Sequence, residues 1–529
     1  MKCRITNLSA ELSDDRAIEE IAAERLKVDA KKIRSVKIVR KAVDARRYRG
    51  AGIRFNFIVD VDLAGRINFG GGVTKIPAEV PREFVAKNFV RKNPVVVGFG
   101  PAGMFSGLEL ARAGLEPIIF ERGGDIDART LAVAKFFRTG ALDENCNVQF
   151  GEGGAGTFSD GKLTTRLDDP LTDYVLKIFV EAGAPEEILY LSKPHIGTDK
   201  LRAVVKNIRA EILKLGGRIY FNAAVTDFEF DAGGNVTAVI VNGAERFAAD
   251  AVFLGVGHSA RDTYELLARR NFALEAKAFA VGVRIEHAQE FINRAQYGED
   301  FANAKLPAAD YFLTYKSATR GAYSFCMCPG GQVVAAASEA GGVVTNGMSN
   351  FARNSGVANS AILVTVDAGD FKNFGGDVLS GVRFQRHFEK LAFDFGGRNF
   401  SAPVQSVGDF LNGRADCRNF AVKPSYPLGF KVADLNEVLP AGVAATLKDA
   451  LNFWNGKIEN FAAADVPLTG IETRTSAPCR ILRDKISRQA VGRGGIYPIG
   501  EGAGYAGGIM SSAVDGVKSA RVLLTAAAG

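Results

Sequence analysis

The chain has 529 residues, 47% of them hydrophobic and 24% charged, with a net charge of +7. That length exceeds what one core fills and predicts two to four domains. No apolar run reaches the roughly 18 residues of a membrane span, and the start, MKCRITNLSAELSDD, lacks a signal peptide's apolar stretch.

Residues 2–8 read as a strand. Ser13 is placed to cap a helix over residues 14–28, where Ile18, Ile21, Ala22 and Leu26 share one face. Segments 35–43 and 53–61 alternate like half-buried strands. Together they predict a small α+β domain over residues 1–92. It holds 21 Lys+Arg against 12 Asp+Glu; the rest of the chain holds 45 against 47. The basic balance is therefore local, with twelve Lys/Arg between Arg25 and Arg54 against Asp29 and Asp44. Such a run is a solvated face or a grip for a polyanion such as nucleic acid. A linker over 62–84, with Gly70, Gly71, Gly72, Pro77 and Pro81, follows.

From Pro94 the texture changes. A strand over 94–100 runs into a helix over 102–114 and a strand over 117–122, a β-α-β unit that implies a parallel sheet. A helix over 199–217 precedes strands at 218–225, 225–231, 236–243 and 250–257. Residues 272–480 give no clean period. The last forty return to strand (496–500), glycine loop and helix (509–524), with Met510, Ala513, Val514 and Val517 facing a core. The fold class is α/β: a Rossmann-like domain in two pieces, 93–271 and 486–529, around a substrate domain inserted at 272–485.

Glycine carries the chemistry: 59 residues, clustered. Gly98, Gly100 and Gly103 form G-x-G-x-x-G between a strand and a helix, and Glu121 ends the next strand. Gly98 makes the tight turn, Gly100 admits a pyrophosphate to the backbone, and Gly103 lets helix and strand pack closely. The helix N-terminus favours phosphate, and Glu121 suits ribose hydroxyls, which disfavours NADP. A second loop, YPIGEGAGYAGGIM (497–510), lies four hundred residues later. A fingerprint of the first kind holds only half of a dinucleotide, so FAD explains why there are two. The second helix N-terminus would face the flavin and stabilise its reduced anion. A third run, FGEGGAGTFSDGKLTTR (150–166), reads as a loop folded over the cofactor. A fourth, Gly255, Gly257 and Ala260 after a strand, mimics an NAD fingerprint; the meander before it favours a returning strand of the same domain.

These strings resemble a family, the bacterial uncharacterised FAD-dependent dehydrogenases with a glutathione-reductase-type FAD domain. KAVDARRYRGAGIRF, GFGPAGMFSGLELARAG, NVQFGEGGAGTFSDGKLTTR, KPHIGTDKLR, VGVRIEHAQEFINRAQYG, SFCMCPGG, GIETRTSAP and YPIGEGAGYAGGIMSSAVDG carry the resemblance over nearly the whole chain. It implies FAD held noncovalently at the first and last glycine loops and brings no substrate. The expected cofactor contacts are Gly98, Gly100, Pro101, Ala102, Gly103, Glu121 and Arg122; Gly153, Gly154, Ala155 and Gly156; Val225 and Gly257; and Gly500, Glu501, Gly508, Ile509 and Met510. Glu501 stands where the wider superfamily commonly has Asp.

Candidates for chemistry are His258 beside Gly257, Lys162, and the pair Cys326 and Cys328. The pair reads as pocket lining, a redox dithiol or half a metal site. Along a straight strand its Cα atoms lie ~6.6 Å apart, near the upper limit for a disulfide, and no second pair completes a zinc site. The six cysteines (Cys3, Cys146, Cys326, Cys328, Cys417, Cys479) are otherwise scattered, as in a reducing, cytoplasmic protein. Arg474, Thr475 and Ser476 are candidate substrate contacts. The sequence thus predicts an FAD-dependent oxidoreductase passing hydride between the flavin and a small molecule or electron carrier, with NAD(P)H as one candidate reductant. Alternatives are an RNA-modifying flavoenzyme that grips nucleic acid with the basic domain, and a flavin-binding sensor.

Overall fold

The computed structural model describes residues 1–46, 52–77 and 93–525. The expected boundary at 92, the end of the linker and residues 47–51 of the basic run lie outside it. The N-terminal unit is β1 (Lys2–Glu11), α1 (Ile18–Leu26), β2 (Ile33–Asp44), β3 (Arg54–Leu63) and β4 (Val73–Thr74), with sheet order β2-β3-β1-β4. Alternation in β3 buries Phe55, Phe57, Val59, Val61 and Leu63 in one cluster with Ile21 and Ala22 of α1. Two expectations need correcting. Ser13 does not cap α1, whose N-cap is Ala17 without a side-chain bond. Strand β1 runs on to Glu11, and Ser13 falls in the turn closed by Asp14 N–H to the Glu11 carbonyl (3.0 Å). Part of the supposed linker is also sheet, since β4 pairs back onto β1 at Arg4 and Ile5.

Next come β5 (Pro94–Val97), α2 (Pro101–Arg112), β6 (Ile118–Phe120), α3 (Ile126–Thr139), α4 (Leu171–Glu181), α5 (Thr198–Lys214), β7 (Arg218–Tyr220), β8 (Val225–Phe230), β9 (Val236–Val241), β10 (Glu245–Ala248), β11 (Ala251–Leu254) and α6 (Arg261–Arg269). Strands β8, β9 and β10 form the expected antiparallel meander. The segment 218–220 is not part of it: β7 pairs in parallel with β6.

The stretch without a readable period holds β12 (Leu274–Ala276), β13 (Phe279–Ala288), α7 (Gln289–Tyr297), β14 (Thr314–Lys316), β15 (Gly321–Cys328), β16 (Gln332–Ala335), β17 (Thr345–Met348), β18 (Val357–Val366), α8 (Ala368–Phe371), α9 (Ser380–Gly396), β19 (Ala402–Ser406), α10 (Val407–Asn412), β20 (Phe430–Val432), α11 (Leu435–Val438), α12 (Ala441–Asn455) and β21 (Pro467–Glu472). Seven of these strands make one sheet, β14-β15-β18-β13-β21-β19-β20, antiparallel except for β19 and β20. Helices α9 and α12 pack on it, and Trp454 of α12 is fully buried.

The chain then closes the first sheet. Strand β22 (Cys479–Ile481) pairs with β12, and β23 (Ile496–Pro498) joins β11, giving the parallel order β23-β11-β5-β6-β7 before α13 (Ile509–Thr525). The last element thus packs beside the first β-α-β unit, with α13 lying along α2. Among the described residues no helix is long and apolar enough to cross a membrane.

Candidate functional site

A cavity of about 1550 Å³ opens at the carboxyl ends of β5, β6, β11 and β23 and is walled on its far side by β14, β15 and the segment after β21. In an open parallel sheet that edge is where ligands sit. Its floor is glycine because backbone meets backbone there. A side chain at Gly98 (φ +89°) would put its Cβ 2.4 Å from the Gly255 carbonyl oxygen, and one at Gly103 would sit 1.9 Å from that of Gly98. Gly100 is different. Its φ is an ordinary −80°, and a Cβ there would make only ordinary contacts with Gly154, to its Cα at 3.5 Å and its N at 3.9 Å. Neither backbone angle nor packing among the described residues requires glycine at 100.

The third glycine run lies across the first. Gly153 N–H bonds the Phe99 carbonyl (2.8 Å). Arg129 of α3, fully buried, shapes this loop. Its guanidinium donates to the carbonyls of Asn147, Val148, Gly151, Glu152 and Gly154 at 2.7–3.2 Å. Burial lowers its pKa to about 10, so it stays charged at neutral pH, balanced by carbonyl dipoles. Glu121 is also spent largely on backbone. Its carboxylate accepts from Phe99 N–H (2.8 Å), Gly123 N–H (2.9 Å) and Gly151 N–H (2.9 Å). A carboxylate offers about four acceptor sites, which leaves about one for a ribose hydroxyl. Arg122 pairs with Asp262 (2.9 Å) and lies over the Phe150 ring.

The C-terminal loop rests on the fourth glycine run. A Cβ at Gly502 would lie 2.5 Å from the Gly257 carbonyl, whereas Cβ atoms at Gly257, Gly507 and Gly508 would meet nothing within 4 Å. Among the described residues the Glu501 carboxylate has no hydrogen-bond partner, and it lines the cavity. Burial raises its pKa to about 7 against the opposing charge of Lys277. Gln149 Oε1 is likewise buried without a partner. Open glycine backbone, unpartnered acceptors and a cavity above the ~300–1,000 Å³ of ordinary ligand sites fit an extended dinucleotide with room for a second molecule.

Beside the fourth glycine run, His258 Nδ1 pairs with the Ser259 hydroxyl (2.9 Å). Burial and the charges of Arg474 and Arg261 depress its pKa to about 3. It is therefore neutral at pH 7 and acts as a hydrogen-bonding group rather than a proton store. Lys162 donates to Asp160 (2.7 Å) and to the Met327 carbonyl. Asp160 also binds Arg353, and these partners offset its burial and hold it near pKa 2. Cys326 lines the cavity and Cys328 lies buried behind it. Arg474 and Thr475 line the wall; Ser476 does not. A buried cluster fastens the two sheets: Arg261 of α6 binds Glu389 of α9 (2.6 Å), which also binds Arg474 (2.8 Å).

Most of the expected contacts face this cavity: Pro101, Ala102, Ala155, Gly156, Val225, Ile509 and Met510 join those above. Gly103, Gly153 and Gly500 do not line it; they serve close packing, Gly153 against Thr157 and Gly500 against Ala102. Sequence reasoning missed Arg129, and it missed Asp160, Arg353, Phe312, Tyr323 and Phe325, which line the cavity. Only Asp160, inside the glycine run, carried a local signal.

The fold and cavity are those of a dinucleotide-binding protein of the Rossmann type. Residues 278–475 match the family model described as FAD-dependent protein, C-terminal domain-like, and residues 3–62 match a domain of unknown function. A protein of Clostridium beijerinckii (strain ATCC 51743 / NCIMB 8052), described as an uncharacterized protein, is 48% identical over 531 residues, 99% of each chain. The chain belongs to this family of FAD-dependent proteins, and its cofactor is FAD. Solved structures are more distant. Glycine oxidase of Geobacillus kaustophilus is 13% identical over 83% of this chain and 96% of that one, with a TM-score of 0.34. L-amino acid deaminase of Proteus vulgaris is 11% identical over 85% and 96%, at 0.35. CtdE in complex with FAD is 14% identical over 82% and 84%, at 0.30. At such scores nothing about their substrates carries over.

Proposed function

We propose that the protein is an oxidoreductase that holds FAD noncovalently along the cavity floor and takes a small molecule or electron carrier against the far wall. In this reading Glu121 and Arg122 serve the adenosine end, Gly98, Gly100 and Gly154 the pyrophosphate, and Glu501, Gly508 and the start of α13 the flavin end. Bound FAD supplies two-electron chemistry. The chain's own residues shape the site: Arg129 fixes the loop, neutral His258 offers a hydrogen bond, and Lys162 keeps a positive charge in the wall. No described residue of the basic N-terminal unit lines the cavity, which speaks against that unit gripping RNA at the flavin.

The observation that carries the reading is Gly100, a glycine required by neither backbone angle nor packing. The purified protein should be yellow and release FAD, not FMN, on denaturation. Gly100→Val should leave the FAD-free fold intact and weaken FAD binding roughly tenfold or more, since overfilling a close contact costs about 1–3 kcal/mol. Flavin fluorescence titration measures it. Unchanged affinity in the variant would move the site elsewhere.

A further inference from the structure

The far wall holds a feature that FAD binding does not use. Strand β15 carries an irregularity between Phe325 and Cys328: Phe325 pairs with Ala361 and Cys328 with Asn359. Three steps of β15 thus cover two of β18. Even two fully extended steps span only ~6.6 Å, inside the ~4.4–6.8 Å Cα range of a disulfide. Cys326 has a φ of +42°, an uncommon angle for a residue with a side chain. The conformation is held from several sides. Arg284 Nη1 donates to the Cys326 carbonyl (2.9 Å), the Cys328 sulfur lies 3.2 Å from the same oxygen, and Lys162 binds the Met327 carbonyl between them.

We propose that Cys326 and Cys328 form a reversible dithiol–disulfide couple in the cavity wall, Cys326 attacking and Cys328 resolving, which exchanges with small disulfides and dithiols that enter the cavity. Cys326 is partly open to the cavity, while Cys328 is fully buried. An accessible thiolate poised beside a buried partner is the arrangement such couples use. The hydrogen bond from Cys328 and the charges of Lys162 and Arg284 pull the Cys326 thiol below its ordinary value, against burial. The Cys328 thiol is raised, first by its hydrogen bond to Cys326 and then by burial. Among the described residues all six cysteines are free, Cys326 and Cys328 among them.

The step balances by thiol–disulfide exchange. The Cys326 thiolate attacks a disulfide R–S–S–R, forming a mixed disulfide and releasing RS⁻. Cys328 gives up its proton and attacks the Cys326 sulfur, releasing the second RS⁻. The protein pair loses two electrons, and the small disulfide gains them as two thiols. The couple itself needs no flavin. That its electrons are shared with FAD rests on the function proposed above, since FAD also carries two.

The test uses full-length protein equilibrated with glutathione buffers of graded oxidation, quenched in acid, alkylated and mapped by peptide mass spectrometry. An internal Cys326–Cys328 disulfide is expected to appear over a defined ratio range. Cys328→Ser should trap glutathione on Cys326, and Cys326→Ser should trap none on Cys328. At pH 6.5 iodoacetamide should modify Cys326 at least tenfold faster than the half-exposed Cys417, a wild-type measurement that stands if a variant fails to fold. No disulfide at any ratio, or a Cys326 no faster than Cys417, would overturn the proposal. Visible spectra taken in parallel separate the two readings. A yellow protein without the disulfide refutes the couple alone, and a colourless one with it refutes the FAD reading alone.

Discussion

Glu501 shows how a single side chain reports its surroundings. Held without a hydrogen-bond partner in the cavity wall, it has its pKa raised by burial from an ordinary 4.5 to about 7. A carboxyl raised in the folded state binds its proton more tightly there than when unfolded. Its favourable contribution is complete below about pH 4.5 and is lost as pH rises through 7. Glu501→Gln keeps the neutral shape and removes the titration. In FAD-free protein the variant should therefore gain on the wild type by about 1–2 kcal/mol between pH 5 and pH 8, a range discounted for solvent in the open cavity. Urea denaturation of both proteins at the two pH values measures this. A difference between them that does not change with pH would show that Glu501 is ionised and solvated throughout. His258 carries the opposite shift, lowered to about 3, so activity should show no limb from it between pH 5 and 8.

The two helices that open on the cavity, α2 and α13, lie against each other because small residues let their backbones touch. A Cβ at Gly516 would sit 2.2 Å from the Ala102 carbonyl oxygen, and one at Gly500 would sit 2.7 Å from the Ala102 Cβ. Gly516→Ala should push the helices apart and cost about 1–3 kcal/mol. It should also weaken FAD binding, although residue 516 does not line the cavity. Thermal melting with flavin titration checks both, and a variant as stable as wild type would mean that the contact relaxes freely. These elements were legible in the sequence because the glycine spacing that builds them is local. The strands of 279–472 were not. In β13 every residue from Phe279 to His287 is buried, so helices or sheet cover both faces and the two-residue alternation disappears. The bulge at Cys326 was hidden too. The spacing of the two cysteines reads as a straight strand, and only pairing with β18 shows that the strand is irregular there. Arg129 was invisible for a similar reason, since the five carbonyls it binds belong to a loop some twenty residues on.

For the whole molecule the open question is what the basic N-terminal unit adds, and we propose that it is separable from FAD binding with its boundary near residue 92. Its ties to the remainder are few in kind. Strand β2 meets the segment after Leu189 through Lys41 N–H to the Tyr190 carbonyl (2.7 Å) and Ser192 N–H to the Lys41 carbonyl (2.9 Å). Lys305 reaches the carbonyls of Leu12 and Asp14 (3.0 Å each) and pairs with Asp15. Apolar residues of the unit do belong to one continuous buried cluster with the seven-stranded sheet, so removing it exposes part of that cluster. The parallel sheet and all four glycine runs remain, because the cavity draws no described residue from before Val97. A chain of residues 91–529 should therefore melt at lower temperature yet bind FAD with the full-length protein's spectrum and affinity. Segments 190–193 and 305–310 touch the unit on one side and carry Lys193 and Asp310 of the cavity rim on the other. The truncated protein should accordingly lose turnover or partner binding before it loses colour, if the unit serves whatever enters the cavity. Expression of 91–529, a flavin spectrum and a titration with FAD decide this. An insoluble or flavin-free product would place the N-terminal sheet inside the FAD domain's own folding unit and remove the boundary at 92.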